Sequence, residues 1–214
     1  QLETFALVGL IENRVVRPQP DDVGVASQEH GGEAVKRADP DPSAGDELFD
    51  AVARVKAANP AALYCCDPVM GDTGRGFFVR EGIPDYLRDQ VVPHADILTP
   101  NQFELEFLAG QKITTQAQLL GAIADLRRAG PSTVLVTSVL TDQTPASSIQ
   151  MACVSDAGAW IVTTPMLDMV VRGGGDATTA IFLAHTLTDG PRVALSRTAA
   201  SMYAVLEATH RLGA

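Results

Sequence analysis

From Gly45 to the C-terminus, short apolar runs alternate with stretches whose apolar residues recur every three or four positions. This alternation constrains the fold more than any other feature. A short apolar run between turn residues reads as a buried strand, and the longer recurrence reads as an amphipathic helix. Leu48, Val52 and Val55 mark a helix over 46–58, stopped by Asn59-Pro60. Ala62 to Cys66 reads as a strand, followed by a glycine-rich loop over 67–79. Ile83, Leu87 and Val91 mark the next helix, and Asp96 to Leu98 a short strand. A helix over 102–109 follows, then one carrying Leu119, Ile123 and Leu126, then the β-branched strand Thr133 to Thr137. After this the period changes to two: Ile149, Met151 and Cys153, a turn at Ser155 to Gly158, then Trp160 to Thr163 predict a hairpin. Two helices close the chain, about 176–187 and from Pro191 to about Leu212. Strands separated by helices pair in parallel and need cover on both sides. The expected class is therefore α/β: a mainly parallel sheet with helices on both faces, plus a small β-hairpin near 148–164.

The first 44 residues differ in kind. From Arg17 to Gly45 there is no Leu, Ile, Met, Phe, Tyr or Trp, and Pro18, Pro20, Pro40 and Pro42 interrupt the stretch. Such a segment buries too little apolar surface to offset its ordering entropy, and is expected to be loop-rich or disordered. Thr4 to Asn13, just before it, fits either a short helix or a strand. The division is thus an atypical segment over 1–44 and a regular domain over 45–214.

With 16 Lys and Arg against 26 Asp and Glu, the net charge is −10. That argues against nucleic acid or an anionic membrane as the partner. No apolar run approaches the roughly 20 residues of a membrane span, and no signal-peptide pattern is present. Cys65, Cys66 and Cys153 lack metal-ligand spacing, and read as reduced, buried thiols of a cytoplasmic protein. The histidines are scattered, with no HExxH pattern, so a hydrolase triad has little support.

Three polar clusters follow strands, where ligands sit in parallel sheets. Asp67-Pro68-Val69-Met70-Gly71-Asp72-Thr73-Gly74-Arg75-Gly76 brings two carboxylates into a glycine-rich loop. Its carboxylates suit Mg²⁺ and its open backbone suits phosphate, but Asp and Gly are also ordinary turn residues. In Thr99-Pro100-Asn101-Gln102-Phe103-Glu104, the spacing of Asn101 and Glu104 is that of a capping box. The same Glu104 could serve a metal or its water, and Asn101 a nucleotide. Gly173-Gly174-Gly175-Asp176 opens a helix, exposing successive N–H groups at the positive end of its dipole beside a carboxylate. That arrangement suits a general base beside a transferring phosphoryl group, although Asp176 could equally be a plain N-cap. Neither GxGxxG nor a P-loop is present.

Cys66-Asp67-Pro68-Val69-Met70-Gly71-Asp72, Asp96 to Glu104, Val134-Leu135-Val136-Thr137-Ser138 and Gly173 to Asp176 occur in that order. Together they resemble the pyridoxal kinase family of the ribokinase-like superfamily, in its bacterial branch, from about Gly45 onward. The resemblance implies ATP-dependent phosphorylation of the 5′-hydroxymethyl group of pyridoxal or a related B6 vitamer, with Mg²⁺ and often K⁺, by a homodimer. It implies Asp176 as the general base and Gly173, Gly174 and Gly175 as the anion hole. Asp67, Asp72 and Glu104 would hold the metal–phosphate end of ATP. Thr99, Asn101, Thr137 and Ser138 would line the phosphate and monovalent-cation region, and Thr164, Pro165, Met166 and Leu167 would border the adenine. The family's pyridoxal pocket comes largely from its N-terminal part, whose pattern residues 1–44 do not carry. The alternatives are therefore a truncated, non-catalytic remnant that binds only nucleotide, or a related hydroxymethylpyrimidine-type kinase.

Overall fold

The computed structural model describes residues 6–9, 42–169 and 173–213. The loop-or-disorder expectation for Arg17 to Gly45 thus lies outside the described residues as far as Asp41.

Among the described residues the central sheet has six strands. In spatial order they are β1 (Ala6–Gly9), β2 (Leu63–Cys66), β5 (Ile97–Leu98), β6 (Thr133–Val139), β7 (Ser148–Ser155) and β8 (Gly158–Pro165). The first four are mutually parallel, and the last two join antiparallel as the expected hairpin. Within the stretch Thr4 to Asn13, where helix and strand were both open, the described residues Ala6–Gly9 form a strand, with Ala6 opposite Leu63 and Gly9 opposite Cys66. The loop after β2 is more ordered than its glycines suggest. It holds a two-residue antiparallel ladder of β3 (Gly71–Asp72) and β4 (Gly76–Phe77).

Among the described residues six α-helices flank the sheet: α1 (Pro42–Ala58), α2 (Ile83–Tyr86), α3 (Gln102–Leu108), α4 (Gln116–Ala129), α5 (Gly174–Asp189) and α6 (Pro191–Gly213). The helix expected through Val91 is α-helical only to Tyr86. It widens into a π-turn over Leu87–Val91, where the Val92 N–H donates to Leu87 O, and tightens into a 3₁₀ turn over Val92–His94. Pro93 has no N–H with which to continue an α-helix.

Neighbouring strand residues face opposite sides of a sheet, and the core divides accordingly. Tyr64, Cys66, Leu98, Val134 and Val136 pack with Val52 of α1, Leu105 of α3 and Leu119 and Ile123 of α4. Cys65, Ile97 and Leu135 face the other way, onto Phe182 and Leu183 of α5 and Ala194 and Leu195 of α6. A strand buried on both faces must be apolar throughout, which is why β2 and β5 show no alternation. The three cysteines are free and buried. Among the described residues no helix is long and apolar enough to cross a membrane.

Candidate active site

The carboxyl ends of β2, β5 and β6 and the start of α5 meet around a cavity of about 320 Å³. That is within the size range of small-ligand pockets. Ten residues singled out in the sequence line it: Asp67, Asp72, Thr99, Asn101, Glu104, Thr137, Gly173, Gly174, Gly175 and Asp176. Ser138, Thr164, Pro165, Met166 and Leu167 are not part of this lining. Ser138 lies just past it, at a β-bulge between Val136 and Val139, in the left-handed region with φ 54°. Thr164 and Pro165 end β8, and the Met166 N–H donates to Ser147 O at 2.9 Å.

The corner between β5 and α3 is tied down on all sides. The capping box is fully formed: Asn101 Oδ1 accepts from the Glu104 N–H at 3.0 Å, and Glu104 Oε2 accepts from the Asn101 N–H at 2.9 Å. Glu104 Oε1 reaches further and accepts from the N–H groups of Met70 at 3.0 Å and Gly71 at 3.5 Å. Asn101 Nδ2 returns the contact by donating to Gly71 O at 2.8 Å. One helix cap therefore also fixes the loop after β2. The loop fits because residue 71 has no side chain: a Cβ there would collide with the Phe103 ring and come within 2.8 Å of Gly76 O. The Thr137 N–H donates to Pro100 O at 3.0 Å, which brings the end of β6 into the same corner.

The start of α5 is built differently. Gly173 is its N-cap, at φ 77° in the left-handed region, with no side-chain hydrogen bond capping the helix. Asp176 lies in the first turn and is exposed. Gly175 lies over the end of β2, where a Cβ would stand 3.6 Å from Asp67 Oδ2. Asp67 is buried, and its Oδ2 accepts from Thr179 Oγ1 of α5 at 3.3 Å.

The site is rich in negative charge. Burial pushes the Asp67 carboxyl up to about 6; the Thr179 hydroxyl opposes that rise and the nearby Asp176 adds to it. Burial pushes Glu104 up to about 8 against the pull of its three backbone donors. Arg75, at the tip of the β3–β4 hairpin, is the only basic residue of the cavity lining among the described residues. Its guanidinium lies 5.5 Å from the centre of the Phe78 ring, which also lines the cavity. Buried carboxylates facing a cavity with so little positive charge fit a hard cation.

The expected trio of Asp67, Asp72 and Glu104 does not form a ready-made metal cage. Among the described residues, no group of three or more His, Cys, Asp or Glu is arranged to hold a metal. Both oxygens of Glu104 already accept backbone N–H groups. The donor set suits Mg²⁺ held by one or two carboxylates, with ligand oxygens completing the sphere. Arg75, Phe78 and Thr179 had no role in the sequence reading, yet all three line the cavity. The available signals were a lone Arg between two glycines, and a Thr three residues beyond Asp176 on the same helix face.

The phosphomethylpyrimidine kinase family model matches residues 44–213. The pyridoxal kinase PdxY of Rubrobacter xylanophilus is 53% identical over 176 residues, covering 81% of this chain and 61% of that protein. The pyridoxal kinase PdxY of Granulibacter bethesdensis is 44% identical over 213 residues, covering 97% of this chain and 71% of that one. The chain thus spans about three fifths of the length of several curated relatives that it matches. Pyridoxal kinase from Leishmania donovani, solved with ADP and pyridoxamine, superposes with a TM-score of 0.67 at 26% identity, covering 78% of this chain and 58% of that one. With its mostly parallel sheet, two helical layers and glycine turn before Asp176, the chain belongs to the phosphomethylpyrimidine kinase family, in its pyridoxal kinase branch with the ribokinase-like fold.

Proposed function

We propose that this chain carries the phosphoryl-transfer site of a pyridoxal kinase, which uses ATP to phosphorylate the 5′-hydroxymethyl group of a B6 vitamer. One observation carries this reading. Asp176 and its glycine turn face Asp67 and Asp72 across one cavity, at the strand ends where such sheets bind ligands. In this reading Asp176, exposed in the first turn of α5, accepts the proton of the attacking hydroxyl. The N–H groups of the turn over 173–175, aided by the helix dipole, stabilise charge on the transferring phosphoryl group. Asp67 and Asp72 would hold Mg²⁺, which when bound neutralises phosphate charge. Glu104 is a further carboxylate beside them. Thr99, Asn101 and Thr137 border the phosphates. Ser138 with K⁺, and Thr164, Pro165, Met166 and Leu167 with the adenine, extend the reading beyond the cavity's own lining.

The domain over 45–214 is thus the nucleotide side of the enzyme, and the reading carries with it a cytoplasmic homodimer. A second reading, nucleotide binding without turnover, draws on the share of the relatives' length that this chain spans. The test is a coupled assay for pyridoxal 5′-phosphate with ATP, Mg²⁺ and K⁺, alongside calorimetric titration with ATP. Product formation is expected. Binding without product would select the second reading, and neither would overturn both.

A further inference from the structure

Thr179 spends its hydroxyl in an unusual way. Thr178, Thr186, Thr188 and Thr209 all bond back to the carbonyl four residues earlier in their own helices. That is the common fate of a helical threonine. Thr179 instead reaches across the molecule to Asp67 Oδ2 at 3.3 Å, a partner 112 residues away in sequence. It also lies 2.8 Å from Thr99 Oγ1 at the end of β5. All three side chains are buried: Asp67 is 6% exposed, Thr99 4% and Thr179 2%.

The direction of this chain follows from proton counting. Each hydroxyl has one proton to give, and an ionised carboxylate can only accept. Thr179 therefore donates to Asp67, and Thr99 donates across the 2.8 Å contact to Thr179. The Cys66 carbonyl, 3.3 Å from Thr99 Oγ1, is already served by the Thr99 N–H at 3.0 Å. Every dipole in the line points its positive end towards Asp67, the arrangement in which successive hydrogen bonds reinforce one another. The line crosses three elements: the ends of β2 and β5, and α5.

We propose that Thr179 is a positioning residue that fixes the Asp67 carboxylate to the helix carrying Asp176, so that the two ends of the site keep one spacing. This rests on the proposed kinase reading, in which Asp67 helps to hold Mg²⁺ with the nucleotide. A carboxylate held by a donor in this way presents a defined face to a cation, and loss of such outer partners typically weakens metal affinity about 10- to 100-fold.

The test uses the full chain and two probes. One is Mg·ADP binding by calorimetry, with parallel titrations in EDTA. The other is Mn²⁺ binding followed by electron paramagnetic resonance. Thr179→Val keeps the shape and removes the hydroxyl; Thr179→Ser keeps the hydroxyl and removes a methyl. Thr179→Val should weaken Mn²⁺ and Mg·ADP binding about tenfold or more, leaving ADP binding in EDTA within twofold. Thr179→Ser should stay within about threefold of the parent on every measure. If Thr179→Val does not fold, Thr179→Ala carries the same expectation.

Unchanged Mn²⁺ and Mg·ADP binding in Thr179→Val would overturn the proposal and leave the kinase reading standing. Equal losses in the Val and Ser variants would also overturn it, since packing would then explain both. A parent chain that binds neither Mg·ADP nor ADP in EDTA would overturn the kinase reading, and the proposal with it.

Discussion

Two corners of one cavity are built on opposite plans. At the β5–α3 corner, Glu104 and Asn101 engage three backbone groups beyond their own reciprocal cap, the N–H groups of Met70 and Gly71 and the Gly71 C=O, and both are held on more than one side. At the start of α5 there is a left-handed glycine, no side-chain cap, and an exposed Asp176. The first corner is finished without a ligand. The second leaves the positive end of a long helix open towards the cavity. A phosphoryl-transfer site needs both: a fixed frame for the charged groups, and an open, preorganised pole where charge develops.

The sharpest way to break this comparison is to remove chemistry from the open corner without touching the frame. Asp176→Asn should lower phosphoryl transfer by about a thousandfold, in the range expected for loss of a general base. Its melting temperature and Mg·ADP affinity should stay close to the parent's, because no hydrogen bond of the frame passes through Asp176. Steady-state rates beside calorimetry check this. Turnover retained within tenfold would sink the general-base role.

The converse change strikes the frame. Glu104→Ala leaves the N–H groups of Met70, Gly71 and Asn101 without their carboxylate acceptor. An unsatisfied buried donor costs about 1–3 kcal/mol, so a loss of about 3 kcal/mol in denaturant unfolding is expected. Nucleotide affinity should fall with it, because the loop carrying Asp72 loses its anchor. A loss below about 0.5 kcal/mol would mean that this corner is not a frame but a solvated surface, where changes are of that size.

What the sequence revealed follows the same division. β2 and β5 were legible because strands buried on both faces carry apolar residues at every position, and β6 because its first five residues are β-branched or apolar. The three clusters were legible because Asp, Asn and Gly at strand ends are both turn formers and ligand formers. For the same reason their roles were not. Asn101 and Glu104 read first as a cap, a reading that can coexist with a ligand pair, and only their contacts with Met70 and Gly71 show the cap extending into the loop. Thr179 escaped because a buried Thr on an apolar helix looks like core, and its partner is far away in sequence. The π-turn over Leu87–Val91 escaped because Leu87 and Val91 keep helical spacing while the backbone between them widens.

Acidity sharpens the contrast further. Glu104 titrates at an ordinary value of 4.5 when unfolded and near 8 when buried in the frame. Between those values the folded chain holds a proton that the unfolded chain has released, so this group makes stability fall as pH rises. Without divalent cations, the melting temperature should drop from pH 5 to pH 8, and Glu104→Gln, which cannot titrate, should flatten part of that drop. Equal slopes in the two proteins would mean that Glu104 is already ionised at pH 5 in the folded chain.

The smallest effect compares one substitution in both corners. At Gly71 the backbone is not the obstacle. An added Cβ has no room between the Phe103 ring and Gly76 O, so Gly71→Ala should cost about 1–3 kcal/mol through overpacking. At Gly173 there is room, since the nearest neighbour of a Cβ would be Asp176 Oδ2 at 4.0 Å. Here the penalty is the left-handed backbone alone, about 1 kcal/mol for an L-residue, partly offset because alanine also restricts the unfolded chain. Asn tolerates that backbone better than Ala, so Gly173→Asn should be the more stable of the two, and Gly71→Asn should be worse than Gly71→Ala. Denaturant unfolding of the four variants checks the order. If Asn rescued position 71 rather than 173, the closed and open descriptions of the two corners would have to be exchanged.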